Sequence, residues 1–194
     1  MINLSELINF KPNIICEVGV HKPHDLRFKN FILDEEINFI LVEANPRCYD
    51  LLKSEYSFPN VKIFNNAICD FNGKIKLYNR GSDLDASAFI DGLPYSPAII
   101  NDNYNKYEAD SIICDGITFD KIDTGNIDIL TIDIEGAEWF VLKYLKSLPK
   151  LICIETHGSN YINPYMNLIL EWMHNNNYSE AIKDQSDTIY LYNG

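Results

Sequence analysis

Four short apolar runs in this chain each end in an acidic residue, and this arrangement restricts the fold more than any other feature. The runs finish at Glu17, Glu43, Asp133 and Glu155. Helical patterns alternate with them, which is typical of βαβ units around a parallel sheet. Ligands of doubly wound sheets bind beyond the carboxyl ends of the strands, and burying an unpaired carboxylate is unfavourable. We therefore expect a doubly wound α/β fold in which the four acids face a common cleft.

The apolar pattern also predicts the elements of this fold. Buried strands are predicted at 14–18, 39–43, 61–65, 127–132 and 151–154. Helices are predicted from Pro46, where Asn45 offers a cap, over 136–148, and from Pro164. Hairpins are predicted between 178–182 and 188–192 at the C-terminal end, and around Asn72-Gly73 between 67–71 and 74–78. The strands should form a mostly parallel sheet that ends in an antiparallel hairpin.

The length and composition predict one domain over 1–194. The chain has 194 residues, 46% of them hydrophobic, which suits a single core. A short helix is predicted near the N-terminus at 3–10. Residues from about 80 to 110 hold several Gly, Pro, Ser and Asn residues and few apolar ones. A loop this long in a compact domain usually serves as a lid or a substrate segment.

The net charge and the cysteines indicate which partners and which cellular compartment to expect. The net charge of −12 disfavours nucleic acids and anionic membranes as partners. The five cysteines are odd in number and form no CxxC pair, which indicates reduced thiols rather than a thiolate zinc site. The N-terminal residues lack a basic region followed by a long apolar stretch. We expect a cytoplasmic protein without membrane insertion.

Two strand ends carry the first candidate binding residues. Glu17 is followed by Val18 and Gly19, an acid and a glycine that favour close approach of a cationic ligand. A phosphate-binding loop would instead offer glycines and helix amides without the acid. Glu43 lies about one βα unit later, where an acid can accept hydrogen bonds from ribose hydroxyls. Ordinary βα turns would explain either feature alone. A nicotinamide-dependent oxidoreductase is disfavoured because GxGxxG is absent.

The segment Ile132-Asp133-Ile134-Glu135-Gly136-Ala137-Glu138 is the most specific motif. It resembles the aspartate–x–glutamate–glycine–x–glutamate signature of the FkbM family of S-adenosylmethionine-dependent methyltransferases. Further segments resemble that family in the same order, namely the ribose segment at 42–46, the adenine segment at 65–68, and the segments 117–122 and 154–157. The first loop departs from the family pattern, with His21 at the usual Asn position and Pro23 where Gly is expected.

The resemblance implies an S-adenosylmethionine-dependent O-methyltransferase with a Rossmann-like class I methyltransferase fold and a seven-stranded sheet. It implies a cofactor site formed by Glu17, Gly19, Glu43, Ala44, Asn66, Ala67 and Asp133. A sugar or glycan hydroxyl is the implied acceptor. A hydroxyl of a non-sugar natural product and a catalytically inactive binding module are the alternatives. A second copy of the chain or a glycosyltransferase would be its partner.

Residues at the strand ends are also the candidates for catalysis. His157 is our first candidate for the general base, and Asp133 and Glu155 are the other catalytic candidates. The same three side chains offer oxygen and nitrogen ligands for a divalent cation such as Mg²⁺, which is the rival mechanism. Glu135, Tyr95 and Tyr104 are predicted to contact the acceptor, the tyrosines by stacking on a sugar ring.

Overall fold

The computed structural model describes residues 4–79, 88–90, 111–158 and 160–194. Its strands are β1 (Ile14–Val18), β2 (Asn38–Val42), β3 (Val61–Phe64), β4 (Ala67–Ile68), β5 (Gly73–Asn79), β6 (Ala88–Ile90), β7 (Ser111–Ile117), β8 (Ile129–Ile132), β9 (Leu151–Glu155), β10 (His157–Gly158), β11 (Tyr161–Ile162), β12 (Tyr178–Lys183) and β13 (Asp187–Tyr192). Its helices are α1 (Pro46–Glu55), α2 (Glu138–Lys143) and α3 (Met166–Asn175). Short 3-10 turns occur at Leu4–Leu7, Pro23–Asp25, Lys29–Phe31 and Phe119–Lys121.

Seven strands form the main sheet in the order β12-β13-β9-β8-β1-β2-β3. All neighbours are parallel except β13, which runs antiparallel to both β9 and β12. The chain first builds outward from β1 to β3 and then returns to the other side of β1 with β8. The switch point therefore lies between β1 and β8, where doubly wound sheets bind their ligands. This confirms the predicted doubly wound fold and its C-terminal hairpin.

Alternate residues of the strands pack into cores on the two faces of this sheet. In β1, Ile15 packs on the face that holds Leu52 of α1, whereas Cys16 packs on the face that holds α2 and α3. From α2 and α3, Val141 and Ile169 belong to that second core. No α-helix connects β1 to β2, where the chain forms the turns Pro23–Asp25 and Lys29–Phe31 instead. The opening of the sheet above β1 is therefore bordered by a loop.

A second sheet corrects one hairpin prediction. It has the order β4-β7-β5-β6, and β5 pairs antiparallel with β7 along most of its length. The predicted hairpin between 67–71 and 74–78 does not form, because β4 has only two residues and pairs parallel with β7. Asn72-Gly73 instead leads into β5. The stronger partner of β5 is thus far away in the sequence.

The helices follow the sequence pattern at their starts more closely than at their ends. Asn45 caps α1 by accepting a hydrogen bond from the Arg47 amide at 3.1 Å. The helix predicted over 136–148 is shorter, because α2 ends at Lys143. An N-terminal helix is predicted over residues 3 to 10. The structure has a short turn of 3-10 helix there, at Leu4–Leu7. In the part of the chain that the structure describes, no helix combines the length and apolar character needed to cross a membrane.

Candidate active site

A cavity of about 620 Å³ opens at the carboxyl ends of the strands on both sides of the switch point. This volume lies in the range of sites for drug-sized ligands and cofactors. Nine predicted site residues line it: Glu17, Gly19, Glu43, Ala44, Asn66, Ala67, Asp133, Glu135 and Glu155. We call the part that follows β1, β2 and β3 the β2 side, and the part formed by Asp133, Glu135 and Glu155 the β9 side.

The Glu17 carboxylate shapes the loop that follows β1. Its Oε2 accepts a hydrogen bond from the Arg27 amide at 3.0 Å, and its Oε1 accepts one from the Phe28 amide at 2.9 Å. Burial raises the pKa of Glu17 to about 7, although both amides favour the ionised form. Sequence reasoning assigned this acid to a cationic ligand. In the structure both of its oxygens hold backbone, and direct cofactor contact stays a prediction.

Gly19 is required by the protein's own backbone. Its φ angle is +84°, and a Cβ built on it would lie 1.8 Å from the carbonyl oxygen of Asp133. Its amide donates to the Val42 carbonyl at 2.9 Å. The sequence also assigns this glycine to close approach of a ligand, and that contact stays a prediction. The close approach within the protein is between the loops that follow β1 and β8, on either side of the switch point.

Glu43 holds the loops of the β2 side and retains acceptor positions. Its Oε2 accepts from the His21 amide at 2.7 Å, and its Oε1 accepts from the Asn45 amide at 2.8 Å. Each carboxylate oxygen can accept a second hydrogen bond. Burial raises the pKa of Glu43 to about 7. The geometry therefore leaves room for the two ribose hydroxyls that the sequence assigns to this acid.

The first loop accommodates both residues that depart from the family pattern. His21 has a φ of +63°, a left-handed conformation in which Asn, Asp and His are enriched, which explains its exchange for Asn. Pro23 begins the 3-10 turn Pro23–Asp25, where its fixed φ is accommodated. The Tyr56 hydroxyl donates to the Pro23 carbonyl at 2.7 Å. The His21 amide donates to Glu43 from this loop.

The acidic residues of the signature between β8 and α2 have different roles. Glu138 is fully buried, and its Oε1 accepts from the amides of Ile134 and Gly136 at 2.9 and 3.1 Å. Its other oxygen accepts from the Asn163 amide group. These bonds hold the turn in which Glu135 adopts a φ of +57°. Glu138 therefore has a structural role. By holding this turn, it presents Asp133 and Glu135 to the cavity.

Arg27 is a cavity residue that sequence reasoning missed. Its Nη2 lies 3.3 Å from Asp133 Oδ2, and its Nη1 lies 2.6 Å from Oδ2 of the buried Asp187. It thereby ties the loop after β1 to the end of β8 and the start of β13. A sequence signal exists, because Arg27 stands between Leu26 and Phe28, which are both core residues. A cation flanked by core residues needs a buried anion.

On the β9 side, Glu155 differs from Asp133, which pairs with Arg27. Glu155 Oε2 is buried and has no hydrogen-bond partner among the described residues. Burial, together with the charges of Asp133 and Glu138, raises the pKa of Glu155 to about 11. The carboxyl group is therefore neutral at physiological pH when the cavity holds no ligand. Polarity and charge thus differ sharply between the two sides of the cavity.

A comparison with family models assigns the chain to a family. Residues 17–180 match the family described as the Methyltransferase FkbM domain. The chain belongs to the FkbM methyltransferase family. The match begins at Glu17 and includes every predicted site residue. No curated protein matches the chain. The family is one of S-adenosylmethionine-dependent methyltransferases, as the sequence motifs predicted.

Several solved methyltransferase structures are similar to this FkbM domain, and one of them reaches a TM-score of 0.50. It superposes on a precorrin-6y C5,15-methyltransferase from Geobacter metallireducens GS-15 with a TM-score of 0.50 and 11% identity, covering 99% of this chain and 86% of that one. The pyocyanin biosynthetic protein PhzM gives 0.48 and 9%, with 98% of this chain and 53% of PhzM covered. The methyltransferase domain of bacterial CtHen1-C gives 0.46 and 8%, with 94% and 90% covered. This chain therefore spans about half the length of PhzM.

His157 lies away from the cavity of the FkbM domain. Its Nδ1 is 2.8 Å from Thr156 Oγ1, and its Nε2 is 2.8 Å from the Asp184 carbonyl oxygen. Both ring nitrogens are thus within hydrogen-bond distance of protein atoms, and the residue does not line the cavity. Its role as a general base stays a prediction that this geometry does not favour.

The predicted metal set is not assembled in the described residues. Among these, no group of three or more His, Cys, Asp and Glu side chains is placed to hold a metal ion. Asp133, Glu155 and His157 therefore do not form the ligand set that we predicted, because the imidazole is bound to Asp184 instead. Tyr95 and Tyr104, predicted to contact the acceptor, lie outside the described residues.

Proposed function

We propose that this FkbM domain transfers a methyl group from S-adenosylmethionine to a hydroxyl group of a small acceptor, with sugars and glycan residues as the acceptor class. One observation carries the proposal. A single cavity reaches from Glu43, which follows β2, to Glu155 at the end of β9. Strands β2 and β9 are three positions apart in the sheet, or about 14 Å at the usual strand spacing. That span suits two ligands bound side by side.

The β2 side fits the cofactor. Glu43 would bind the ribose hydroxyls through its remaining acceptor positions, and Ala44, Asn66 and Ala67 would surround the base. Asn65 supports this arrangement, because its amide group donates to the carbonyls of Glu43 and Ala44 at 2.8 and 3.2 Å. When bound, S-adenosylmethionine supplies a methyl group activated by its sulfonium. The residues around it contribute orientation and exclusion of water.

Asp133 is the proposed general base on the β9 side. Its side chain is 41% exposed at the cavity and lies within 3.3 Å of the Arg27 guanidinium. Burial raises the pKa of Asp133 on balance, whereas the Arg27 charge acts against this and favours the ionised carboxylate. In that state it can accept the proton of an acceptor hydroxyl. Glu135 also lines this side. Among the predicted catalytic residues, Asp133 combines cavity exposure with a neighbouring cation.

The loop over 80–110 is proposed to complete the acceptor site. Only β6 within it is described, and Ile90 at the end of that strand lines the cavity beside Leu77 of β5. Ile90 therefore brings this segment to the wall of the cavity. Tyr95 and Tyr104 within it are the candidates for stacking on a sugar ring.

Calorimetry with S-adenosylhomocysteine tests the cofactor part of the proposal. We expect the wild type to bind and Glu43→Gln to bind roughly tenfold or more weakly, since a hydrogen bond to a charged group contributes about 1.5–3 kcal/mol. Glu55→Gln, an exposed change at the end of α1, should bind like the wild type. Equal affinities for all three proteins would contradict the ribose assignment.

Transfer of a labelled methyl group to a panel of free sugars, nucleotide sugars and non-sugar alcohols tests the reaction. Asp133→Asn should lower kcat by about 10²–10⁴-fold, the usual contribution of a general base. Methylation of carbon or nitrogen acceptors without any hydroxyl product would overturn O-methylation. Methylation of alcohols without sugars would overturn the acceptor class alone.

A further inference from the structure

A second polar subsite lies at the end of β9, apart from the β2 side of the cavity. Glu155 Oε2 and the Tyr161 hydroxyl are both buried without a hydrogen-bond partner in the described part of the chain. Tyr161, on β11, is only 2% exposed. Buried polar groups are nearly always paired, so each unpaired one needs an explanation. Glu155 lines the cavity and its charge acts on Tyr161, so these two neighbouring unpaired groups point to a ligand that supplies their partner.

The charges around this subsite are predominantly negative. The strongest electrostatic influences on Glu155 and on Tyr161 both come from carboxylates. These carboxylates are Asp133, Glu135 and Glu138, with Asp187 also acting on Glu155 and Glu155 itself acting on Tyr161. Arg27 is the neighbouring cation, and its two terminal nitrogens already pair with Asp133 and Asp187. A ligand that enters here meets excess negative charge.

The composition of the long loop does not compensate the negative charge of the subsite. Residues 80–110 contain six acidic and two basic side chains. A neutral hydroxyl group could pair with Glu155 but would leave the repulsion among the carboxylates unchanged. A cationic donor would provide both a charge-assisted hydrogen bond and compensation of the charge. The chemistry of the subsite therefore favours an ammonium group.

We propose that Glu155 and Tyr161 bind a positively charged nitrogen of the methyl acceptor, so that the preferred acceptors are amino alcohols, and in particular sugars with a free amine. This inference rests on the proposed methyl transfer to a hydroxyl and names its substrate class. The ammonium donates to Glu155 Oε2 and to the phenol oxygen of Tyr161. The hydroxyl to be methylated then lies toward Asp133, on the same side of the cavity.

Proton release accompanies binding at this subsite. The raised pKa of Glu155 means that the carboxyl group carries a proton near neutral pH before the ligand arrives. A neighbouring ammonium stabilises the carboxylate, and the proton passes to the buffer. The other titratable groups that face Glu155 are Asp133, Glu135, Glu138, Asp187 and Tyr161. The linkage predicts about one proton released per ligand.

Calorimetry with matched amines and amides tests the inference. The protein is saturated with S-adenosylhomocysteine and titrated with glucosamine, N-acetylglucosamine, ethanolamine and N-acetylethanolamine, in two buffers of different ionisation enthalpy. We expect each amine to bind roughly tenfold or more tightly than its N-acetyl form, a difference of about 1.4 kcal/mol. Amine binding should also release about one proton, which the buffer comparison measures.

Variants assign the effect to the subsite. Glu155→Gln keeps the shape of the side chain but should abolish proton release and bring each amine and amide to similar affinity. Tyr161→Phe should weaken amine binding several-fold while proton release is retained. Glu171→Gln, an exposed change on α3, should behave as the wild type. Circular dichroism and S-adenosylhomocysteine binding confirm that each variant is folded.

The outcomes separate this inference from the proposed function. Equal binding of amines and amides, or no binding of any of the four, overturns the cationic subsite even if methyl transfer to other hydroxyls is found. Loss of amine binding when S-adenosylhomocysteine is present would assign the acids to the cofactor's own amino group, which also overturns it. Amine-selective binding without any methyl transfer would support the subsite and contradict the enzymatic proposal.

Discussion

The two sides of the cavity use the same feature, an acid at the end of a strand, in opposite ways. On the β2 side, each oxygen of Glu17 and Glu43 accepts a hydrogen bond from a backbone amide. On the β9 side, Asp133 pairs with a guanidinium, and Glu155 has a buried oxygen without a partner among the described residues. Glu17 and Glu43 organise loops through both of their oxygens, whereas Glu155 keeps one oxygen to which no described residue donates.

The two arrangements suit different tasks: the β2 side is preorganised to bind, and the β9 side is suited to chemistry. Acids whose oxygens hold backbone amides form a rigid cradle at little cost in repulsion, because each amide offsets part of the charge. Acids that face one another accumulate repulsion that only a proton or a ligand can relieve. The β2 side is therefore built for one constant ligand, and the β9 side can respond to the charge of a variable one.

The largest effect is expected where the two sides touch. Gly19→Ala places a Cβ 1.8 Å from the Asp133 carbonyl oxygen and forces alanine to a φ of +84°. We expect the free energy of unfolding to fall by at least about 3 kcal/mol, measured by urea denaturation. Gly125→Ala is the matched control, because its φ is +92° and no atom lies within 4 Å. That control should lose only about 1–2 kcal/mol from backbone strain. Equal losses would show that the loops do not contact as described.

Arg27 connects the two sides, and its removal should be nearly as costly. Glu17 accepts from its backbone amide, while its guanidinium pairs with Asp133 and with the buried Asp187. Arg27→Met leaves these carboxylates uncompensated, so we expect a loss of about 3–5 kcal/mol in denaturant unfolding.

A second change distinguishes loss of charge pairing from loss of packing at this position. Arg27→Met combined with Asp187→Asn removes the buried anion as well, and it should recover part of the stability. The exposed Arg47→Met serves as a control and should lie within about 0.5 kcal/mol of the wild type. A double variant no more stable than Arg27→Met would attribute the loss to packing alone.

The two acids of the β2 side can themselves be separated. Glu17→Gln and Glu43→Gln each replace one acceptor oxygen with a donor that faces a backbone amide, so both should lower stability by about 2 kcal/mol. Glu43→Gln alone should also weaken S-adenosylhomocysteine binding roughly tenfold, as measured by calorimetry. Glu17→Gln should change that affinity less than about threefold. Similar losses of affinity would instead support the predicted direct contact between Glu17 and the cofactor.

Much of the fold could be predicted because its signals are local. The strand predicted at 14–18 coincides with β1, and the predicted C-terminal hairpin corresponds to β12 and β13. The end of α2 could not be predicted, because it depends on a residue far away in the chain. The buried Asp123 accepts hydrogen bonds from the amides of Lys146 and Ser147 at 2.6 and 2.7 Å, which draws this segment out of the helix.

The candidate site shows the same limit. The location of the acids followed from strand ends, which meet at one edge of a parallel sheet. Their roles did not follow, because Glu17 and Glu138 are distinguished from Glu155 only by the backbone amides that surround them. Arg27 was missed because its partner Asp187 comes from β13, 160 positions later. Local patterns reveal charge at an edge, but not which atoms compensate it.

The smallest expected effect measures the difference between the two sides directly, through the pH dependence of stability. The folded-state pKa of Glu155, about 11, lies above its ordinary value of 4.5. Between these values the folded protein keeps a proton that the unfolded chain has released, so stability falls as pH rises.

Glu155→Gln removes this contribution and should therefore gain stability relative to the wild type as pH increases. The gain should be on the order of 1 kcal/mol per pH unit across roughly pH 7 to 9, measured by urea denaturation at each pH. Glu43→Gln should show a comparable gain only below about pH 7, because the pKa of Glu43 is raised only to about 7. Glu171→Gln should run parallel to the wild type throughout. Parallel curves for Glu155→Gln as well would mean that its carboxylate is compensated in the folded protein, and that the two sides of the cavity do not differ in charge.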